Sequence, residues 1–267
     1  MRTANFLIFV CFLSQFHAQV RFCSWNIQNF GRSKSDSTIQ FIAETIKDYD
    51  VVAIVEVVAG NGGAQAVARL ADELNRTGTK WDYVMSDPTQ GTPGRSERYA
   101  FLWKTSRLKK IGEAWLEKNF EKEIEREPYF ASFEENGNVF TLVTFHALPK
   151  SKQPETEIKF FKFFPEKYPD LNMLFSGDFN CPESHTVFNP LKNANYIPSL
   201  SCRKTSLKNE CVNGDCLASE YDNIFYNPQK IRIISAGVIE FYKLFPSMRH
   251  ARKISDHCPV YMEFIPL

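Results

Sequence analysis

Val51-Val52-Ala53-Ile54-Val55-Glu56 is an uninterrupted apolar run that closes on a carboxylate. Its β-branched residues and lack of polar alternation describe a strand covered on both faces. Upstream, Val20–Asn26 reads as a short strand, and Ser37–Lys47 sets Ile39, Ile42, Ala43 and Ile46 at helical spacing. Downstream, Gly60–Gly63 reads as a loop and Ala64–Leu74 as a helix with Val67, Leu70, Ala71 and Leu74 on one face. Strand patterns follow at Trp81–Ser86, Tyr99–Trp103, Leu108–Glu113, Tyr129–Phe133, Val139–Phe145, Leu171–Phe175, Ile224–Phe225, Ile231–Ala236 and Val260–Phe264. A Phe-rich helix is expected over Glu155–Phe164, its Phe160, Phe161, Phe163 and Phe164 serving as core. Strands adjacent in sequence and mixed with helices suit an α/β fold of two mixed sheets packed face to face, helices outside.

The chain has 267 residues, 43% hydrophobic and 14% aromatic, enough for a sizeable core and incompatible with low-complexity disorder. Arg2 followed by Phe6-Leu7-Ile8-Phe9-Val10-Cys11-Phe12-Leu13 reads as a signal peptide, too short to span a membrane. We expect cleavage near Ala18, a single catalytic domain over 19–267, no stable membrane association, a monomer, and a secreted or periplasmic location. Removal of residues 1–18 takes away Arg2 and no acid, leaving 31 basic and 31 acidic residues. A neutral chain has no global basic field, so any nucleic-acid partner must be drawn by local Arg and Lys clusters and by bound metal. Export permits disulfides. Cys211 and Cys216 would close a small loop around Val212-Asn213-Gly214-Asp215, whereas zinc is poorly served by two cysteines without further partners. Cys202 is an alternative partner for either; Cys23 and Cys258 sit in apolar strand contexts and should be free and buried.

Polar groups recur at strand edges. Asn26 ends the first strand and Glu56 the second; Glu97 precedes Arg98-Tyr99-Ala100-Phe101-Leu102-Trp103; His146 ends Phe140–Phe145; Asp222 precedes Asn223–Tyr226. Ser176-Gly177-Asp178-Phe179-Asn180 and Ser255-Asp256-His257 add Asp178, Asn180, Asp256 and His257. A carboxylate at the end of an apolar strand costs free energy unless it is paired or bound to a cation. Carboxylate oxygens hold a hard cation such as Mg²⁺, and a neighbouring histidine can move protons near neutral pH.

In this set the chain resembles the endonuclease/exonuclease/phosphatase superfamily, and within it the secreted deoxyribonuclease I group, over nearly all of the mature length. Ser24-Trp25-Asn26-Ile27-Gln28-Asn29-Phe30-Gly31 looks like the first-strand motif, and Glu56 like the metal-binding glutamate. Trp81–Pro88, Ser96-Glu97-Arg98-Tyr99 and Arg126-Glu127-Pro128 look specifically like the deoxyribonuclease; His146, Gly177–Asn180, Tyr221-Asp222 and Ser255–His257 complete the match. The resemblance implies a four-layer α/β/β/α sandwich and phosphate contact by Arg126. Minor-groove arginines of the group are replaced by Gln28 and Val58, and its stacking tyrosine near Arg95; the loop Ala59–Gly63 is longer. Such arginines strengthen DNA binding. Arg95, Arg32 and Lys34 are the candidates to compensate. The group's calcium-loop residues do not carry over clearly.

Phosphodiester hydrolysis needs an in-line water, charge neutralisation on the phosphoryl oxygens and a proton for the leaving alcohol. The resemblance then implies Asn26, Glu56 and Asp256 as ligands of Mg²⁺, with Mn²⁺ as a substitute; Asp178 and Asn180 as the groups that handle the water and phosphate; and Glu97–His146 and Asp222–His257 as acid/base dyads. DNA is the expected substrate. The competing enzyme reading is a secreted lipid phosphodiesterase of the sphingomyelinase type, or an inositol phosphate phosphatase. A sphingomyelinase should expose an aromatic hairpin, and Trp115, Phe241, Tyr242 and Phe245 are scattered. A non-catalytic binding module would be expected to have lost some of these acids and histidines.

Overall fold

The computed structural model describes residues 19–91 and 96–267; the signal-peptide segment and Arg95 lie outside them. In chain order the elements are β1 (Val20–Phe30), α1 (Asp36–Ile46), β2 (Val51–Val58), α2 (Asn61–Asn75), β3 (Trp81–Met85), β4 (Glu97–Lys104), β5 (Lys109–Leu116), β6 (Tyr129–Glu135) and β7 (Asn138–His146). There follow α3 (Glu155–Ile158), α4 (Phe164–Lys167), β8 (Met173–Asp178), α5 (Asn189–Asn193), β9 (Ile197–Pro198), β10 (Leu207–Val212), β11 (Asp215–Leu217), β12 (Asp222–Tyr226), β13 (Ile231–Val238), α6 (Met248–Ala251) and β14 (Val260–Pro266).

Two six-stranded sheets form, ordered β13-β14-β1-β2-β4-β3 and β5-β6-β7-β8-β12-β9. Each is mixed: β1–β2 and β7–β8 are parallel, and their other neighbours antiparallel. Strand alternation explains why β2 is apolar throughout. Val51, Ala53 and Val55 face the second sheet, packing with Phe133, Phe140, Leu142 and Leu174, while Val52 and Ile54 face the helices, packing with Ile39, Ile42, Val67 and Leu70. A third core lies outside the second sheet, where Phe161 meets Phe164 and Phe175 edge-on and Phe145 at a tilt, and Phe225 stacks on Phe188. Each phenylalanine buried there contributes about 1.5–3 kcal/mol. Three cores between four layers make the α/β/β/α sandwich expected of the chain.

Two local expectations fail for physical reasons. Gly60–Gly63 is not a loop: α2 begins at Asn61. A Cβ on Gly63 would stand 2.0 Å from the Val58 carbonyl oxygen, so this glycine lets the first helical turn seat against β2. The Phe-rich helix is broken into α3, a 3₁₀ turn at Phe161–Phe163 and α4. Pro165 has no N–H to offer the Phe161 carbonyl and its ring crowds that group. Phe161 and Phe164 are buried, but Phe163 is 39% exposed, so only part of the stripe is core.

Cys211 and Cys216 form a disulfide across the β10–β11 hairpin, and Cys23, Cys181, Cys202 and Cys258 are free. Asn213 and Gly214 both have positive φ and form its two-residue turn. An Asn-Gly pair there is a hairpin signal that the sequence carries. Among the described residues no helix is long and apolar enough to cross a membrane.

Candidate active site

Strand register builds half of the site. His146 pairs with Asp178 across β7–β8, and Asp222 pairs with the same Asp178 across β8–β12. Residues in one row of neighbouring strands point to the same face, so one imidazole and two carboxylates stand side by side at the ends of these interior strands. Gly177 lets the backbones approach. Its φ is +128°, and a Cβ there would meet the Phe145 carbonyl oxygen at 2.0 Å.

The first sheet supplies the rest through irregular backbone. β1 runs on past Asn26 to Phe30, with its register to β2 shifting between those two residues. β2 likewise runs on past Glu56, which sits at φ 62° where the β2–β4 register shifts between Ile54 and Val57. A bulge re-aims a side chain that regular pleating would point elsewhere. Asn29 and Asn180 are also left-handed, at φ 50° and 49°. Non-glycine residues in this region cost free energy and gather at functional sites. The Asn29 N–H donates to Glu56 Oε2 at 3.0 Å, and the Asn180 N–H to Asp178 Oδ1 at 2.8 Å, so both strained turns orient a carboxylate.

Both expected dyads are assembled. His257 Nδ1 lies 2.7 Å from Asp222 Oδ2, which also accepts the Thr205 hydroxyl at 2.6 Å. His146 Nδ1 lies 2.8 Å from Glu97 Oε1. Each imidazole turns its Nε2 toward Asp178 Oδ2, 3.6 Å away in both cases. Asp178 is 1% exposed and also accepts from Asn26 Nδ2 at 3.0 Å. Its burial would raise its pKa, but the two imidazoles and the Asn180 and Asn26 donors hold it below the ordinary carboxylate range. Burial alone would lower His146, yet Glu97 outweighs it and the net shift is upward, opposed by the Arg126 guanidinium. For His257 burial is likewise outweighed, by Asp222 and Asp178, and its pKa is pushed up to about 10.

The rise at His257 links pH to stability. Folding favours the imidazolium, so its contribution is complete below the ordinary value of 6.5 and is lost as pH rises through about 10. Thermal melts across that window should show Tm falling more steeply in the wild type than in His257→Ala. Parallel curves would reject the paired imidazolium.

Arg126 is buried and committed to the protein: Nη1 stands 3.0 Å from His146 Nδ1 and 3.3 Å from Glu97 Oε1, and Nη2 donates to the Ala147 carbonyl. Asn180 Nδ2 donates to that same carbonyl at 3.1 Å. A cleft of about 530 Å³ is lined by Glu56, Glu97, Arg126, His146, Asp178, Asn180, Asp256 and His257, together with Asn29, Val58, Ser96 and Pro149. Asn26 and Asp222 stand directly behind that wall, 1% and 3% exposed. The ten residues singled out from sequence therefore gather in one place. A cavity of similar size beside Cys202, Arg203 and Tyr261 contains none of them.

The donor set suits a hard cation. Asn26 Oδ1 and Asp256 Oδ1 are buried oxygens with no hydrogen-bond partner, and buried polar atoms are rarely left so. Glu56 Oε1 sits 3.1 Å from Asn26 Nδ2. Asp178, Asp222 and His257 also place ligand atoms within 4.8 Å of one another and could hold a metal. There, however, His257 Nδ1 and Asp222 Oδ2 are already hydrogen-bonded, whereas the lone pairs at Asn26 and Asp256 are free.

Sequence reading missed the supporting residues. Thr205 fixes Asp222 through both its hydroxyl and the Asp222 N–H. The Ser255 hydroxyl donates to the Asn26 carbonyl at 2.6 Å and accepts the Gln28 and His257 N–H groups. Gln28 Nε2 donates to Asp256 Oδ2 at 3.0 Å, so this side chain is engaged within the site. Val58 is 38% exposed at the cleft. Thr205 and Ser255 have no signal of their own and matter through contacts across the fold, whereas Gln28, read from sequence only as the replacement of a DNA-contacting arginine, holds Asp256. His185 and His250 lie outside the cleft, and their ring nitrogens bond within their own turns.

A family model described as the Endonuclease/Exonuclease/phosphatase family matches residues 23–257. The chain is 26% identical to a deoxyribonuclease of Thioalkalivibrio sp. (strain K90mix) over 97% of its own length and 74% of that protein's. It is 27% identical to deoxyribonuclease gamma of Rattus norvegicus over 96% of its length and 88% of the relative's. Among solved structures, an endonuclease/exonuclease/phosphatase family protein from Bacteroides thetaiotaomicron superposes with a TM-score of 0.68 at 16% identity, covering 92% of this chain and 97% of the other.

Proposed function

Since the chain belongs to the endonuclease/exonuclease/phosphatase family and is a hydrolase acting on phosphodiester bonds, we propose that it is an exported, Mg²⁺-dependent, non-specific DNA endonuclease. The observation that carries this reading is the convergence of both histidine–carboxylate dyads on Asp178, beside oxygen donors without partners. Export rests on the apolar amino-terminal segment, and DNA on the deoxyribonuclease relatives.

Asn26, Glu56 and Asp256 would hold the cation, which when bound offsets charge on the phosphoryl oxygens. Asp178, kept ionised by its neighbours, accepts a hydrogen bond from the attacking water and aims it; its depressed pKa makes it a poor final holder of the proton. An imidazole Nε2 takes that proton and the other imidazole protonates the leaving alkoxide, so each turnover moves one proton in and one out. His146 is the better base, because Arg126 opposes its charge. His257, between Asp222 and Asp178, is the better acid. Arg126 and Asn180 line the cleft where a non-bridging oxygen would rest.

The lipid reading finds less support. Phe241 and Tyr242 are buried, and Trp115 and Phe245 pack against the cores, so these rings offer no membrane-inserting hairpin.

The test is nicking of supercoiled plasmid by residues 19–267, with Mg²⁺ and with EDTA. Nicked circles only with metal are expected, weakening as salt rises because phosphate contacts release counterions. Intact plasmid from folded protein under every metal condition would reject DNA and direct the search to RNA, sphingomyelin and phosphoinositides.

A further inference from the structure

Lys34, expected from sequence as a candidate for DNA contact, is instead 6% exposed, an unusual place for an ammonium unless its donors are met within the protein. Nζ donates to the Ile254 carbonyl at 2.7 Å and to the Lys253 carbonyl at 3.3 Å. Those carbonyls immediately precede Ser255-Asp256-His257. The Lys34 backbone is itself pinned: its N–H bonds the Gly31 carbonyl at 3.1 Å, and its carbonyl accepts from Arg69 Nη1 of α2 at 3.1 Å. Together with the Ser255 hydroxyl on the Asn26 carbonyl and Gln28 Nε2 on Asp256, it makes a third stitch between the β1 exit and the segment carrying Asp256. Those two bonds fix Ser255 and Asp256 themselves; the lysine fixes the backbone that delivers them.

We propose that Lys34 is a positioning residue that sets Asp256 against Asn26 and Glu56, holding the cation site open before the cation arrives. The inference rests on the reading of those three residues as the metal site. A simple charge argument predicts the opposite sign of effect: a fixed ammonium beside carboxylates repels a divalent cation, so its removal should tighten binding. Positioning predicts weaker binding when it is removed, by about 10–100-fold, as for other groups that orient metal ligands.

Calorimetric titration of the metal-free protein with Mn²⁺ separates the two, using Lys34→Met, Lys34→Gln and, as control, Glu56→Gln. The expected result is a Kd at least tenfold weaker in Lys34→Met, a smaller loss in Lys34→Gln, and a matching rise in the Mg²⁺ needed for half-maximal nicking, with turnover at saturating Mg²⁺ within a few-fold of wild type. A Kd unchanged or tighter in the lysine variants, while Glu56→Gln weakens binding, overturns the role of Lys34 and leaves the metal site standing. A Kd unchanged in Glu56→Gln overturns the metal site itself. If Lys34→Met does not fold, Lys34→Gln carries the same test.

Discussion

Replacing His257 by alanine is expected to lower plasmid nicking by about 10²–10⁴-fold, the range that positioned acid–base groups contribute. The variant removes a proton donor whose partners remain: Asp222 loses its 2.7 Å bond and Asp178 loses one of the two imidazoles facing it. Two buried carboxylates then face each other with one positive group fewer, so Asp178 should also bind protons more readily than in the wild type. The loss should therefore be deeper below neutral pH, where a more basic Asp178 starts to protonate and no longer aims the water. Nicking within a few-fold of wild type by a folded variant would remove His257 from the chemistry. Equal residual rates at pH 6 and pH 8 would remove the coupling to Asp178.

Glu56→Ala should act on metal dependence instead. Its carboxylate accepts from Asn26 Nδ2 and the Asn29 N–H, which aim its remaining lone pairs into the cleft beside Asn26 Oδ1. Without it a cation would keep one strong anionic ligand, Asp256. The Mg²⁺ required for half-maximal activity should rise by more than the about 10–100-fold typical of losing an outer partner of a ligand. The fold should tolerate the change, because Glu56 is partly exposed and its backbone strain belongs to the bulge rather than to the side chain. An unchanged Mg²⁺ titration would sink the assignment. So would equal protection of wild type and Glu56→Ala against thermal unfolding by added Mg²⁺.

The sequence by itself determined the layers and the residues of the site. Uniformly apolar strands such as Val51–Val55 can only lie between two other layers, and polar residues interrupting such runs must stand at their ends or be paired. Both arguments are local, and both hold for Asp178, His146 and Asp222. Only the tertiary structure decided how these groups face one another. The register that places His146 and Asp222 beside Asp178 depends on strands from distant parts of the chain. The bulges that turn Asn26 and Glu56 inward follow from pairing, and no residue type announces them. Thr205 and Ser255 gave no sign of their roles, and Gln28 and Lys34 were read only for contact with DNA, for the same reason: a hydroxyl, an amide or an ammonium does not reveal its partner until the fold brings one some 17 to 229 residues away. Proline and glycine misled locally, where Pro165 split a periodic helix and the glycine-rich stretch 60–63 opened one instead of forming a loop, because packing against a neighbouring element overrode propensity.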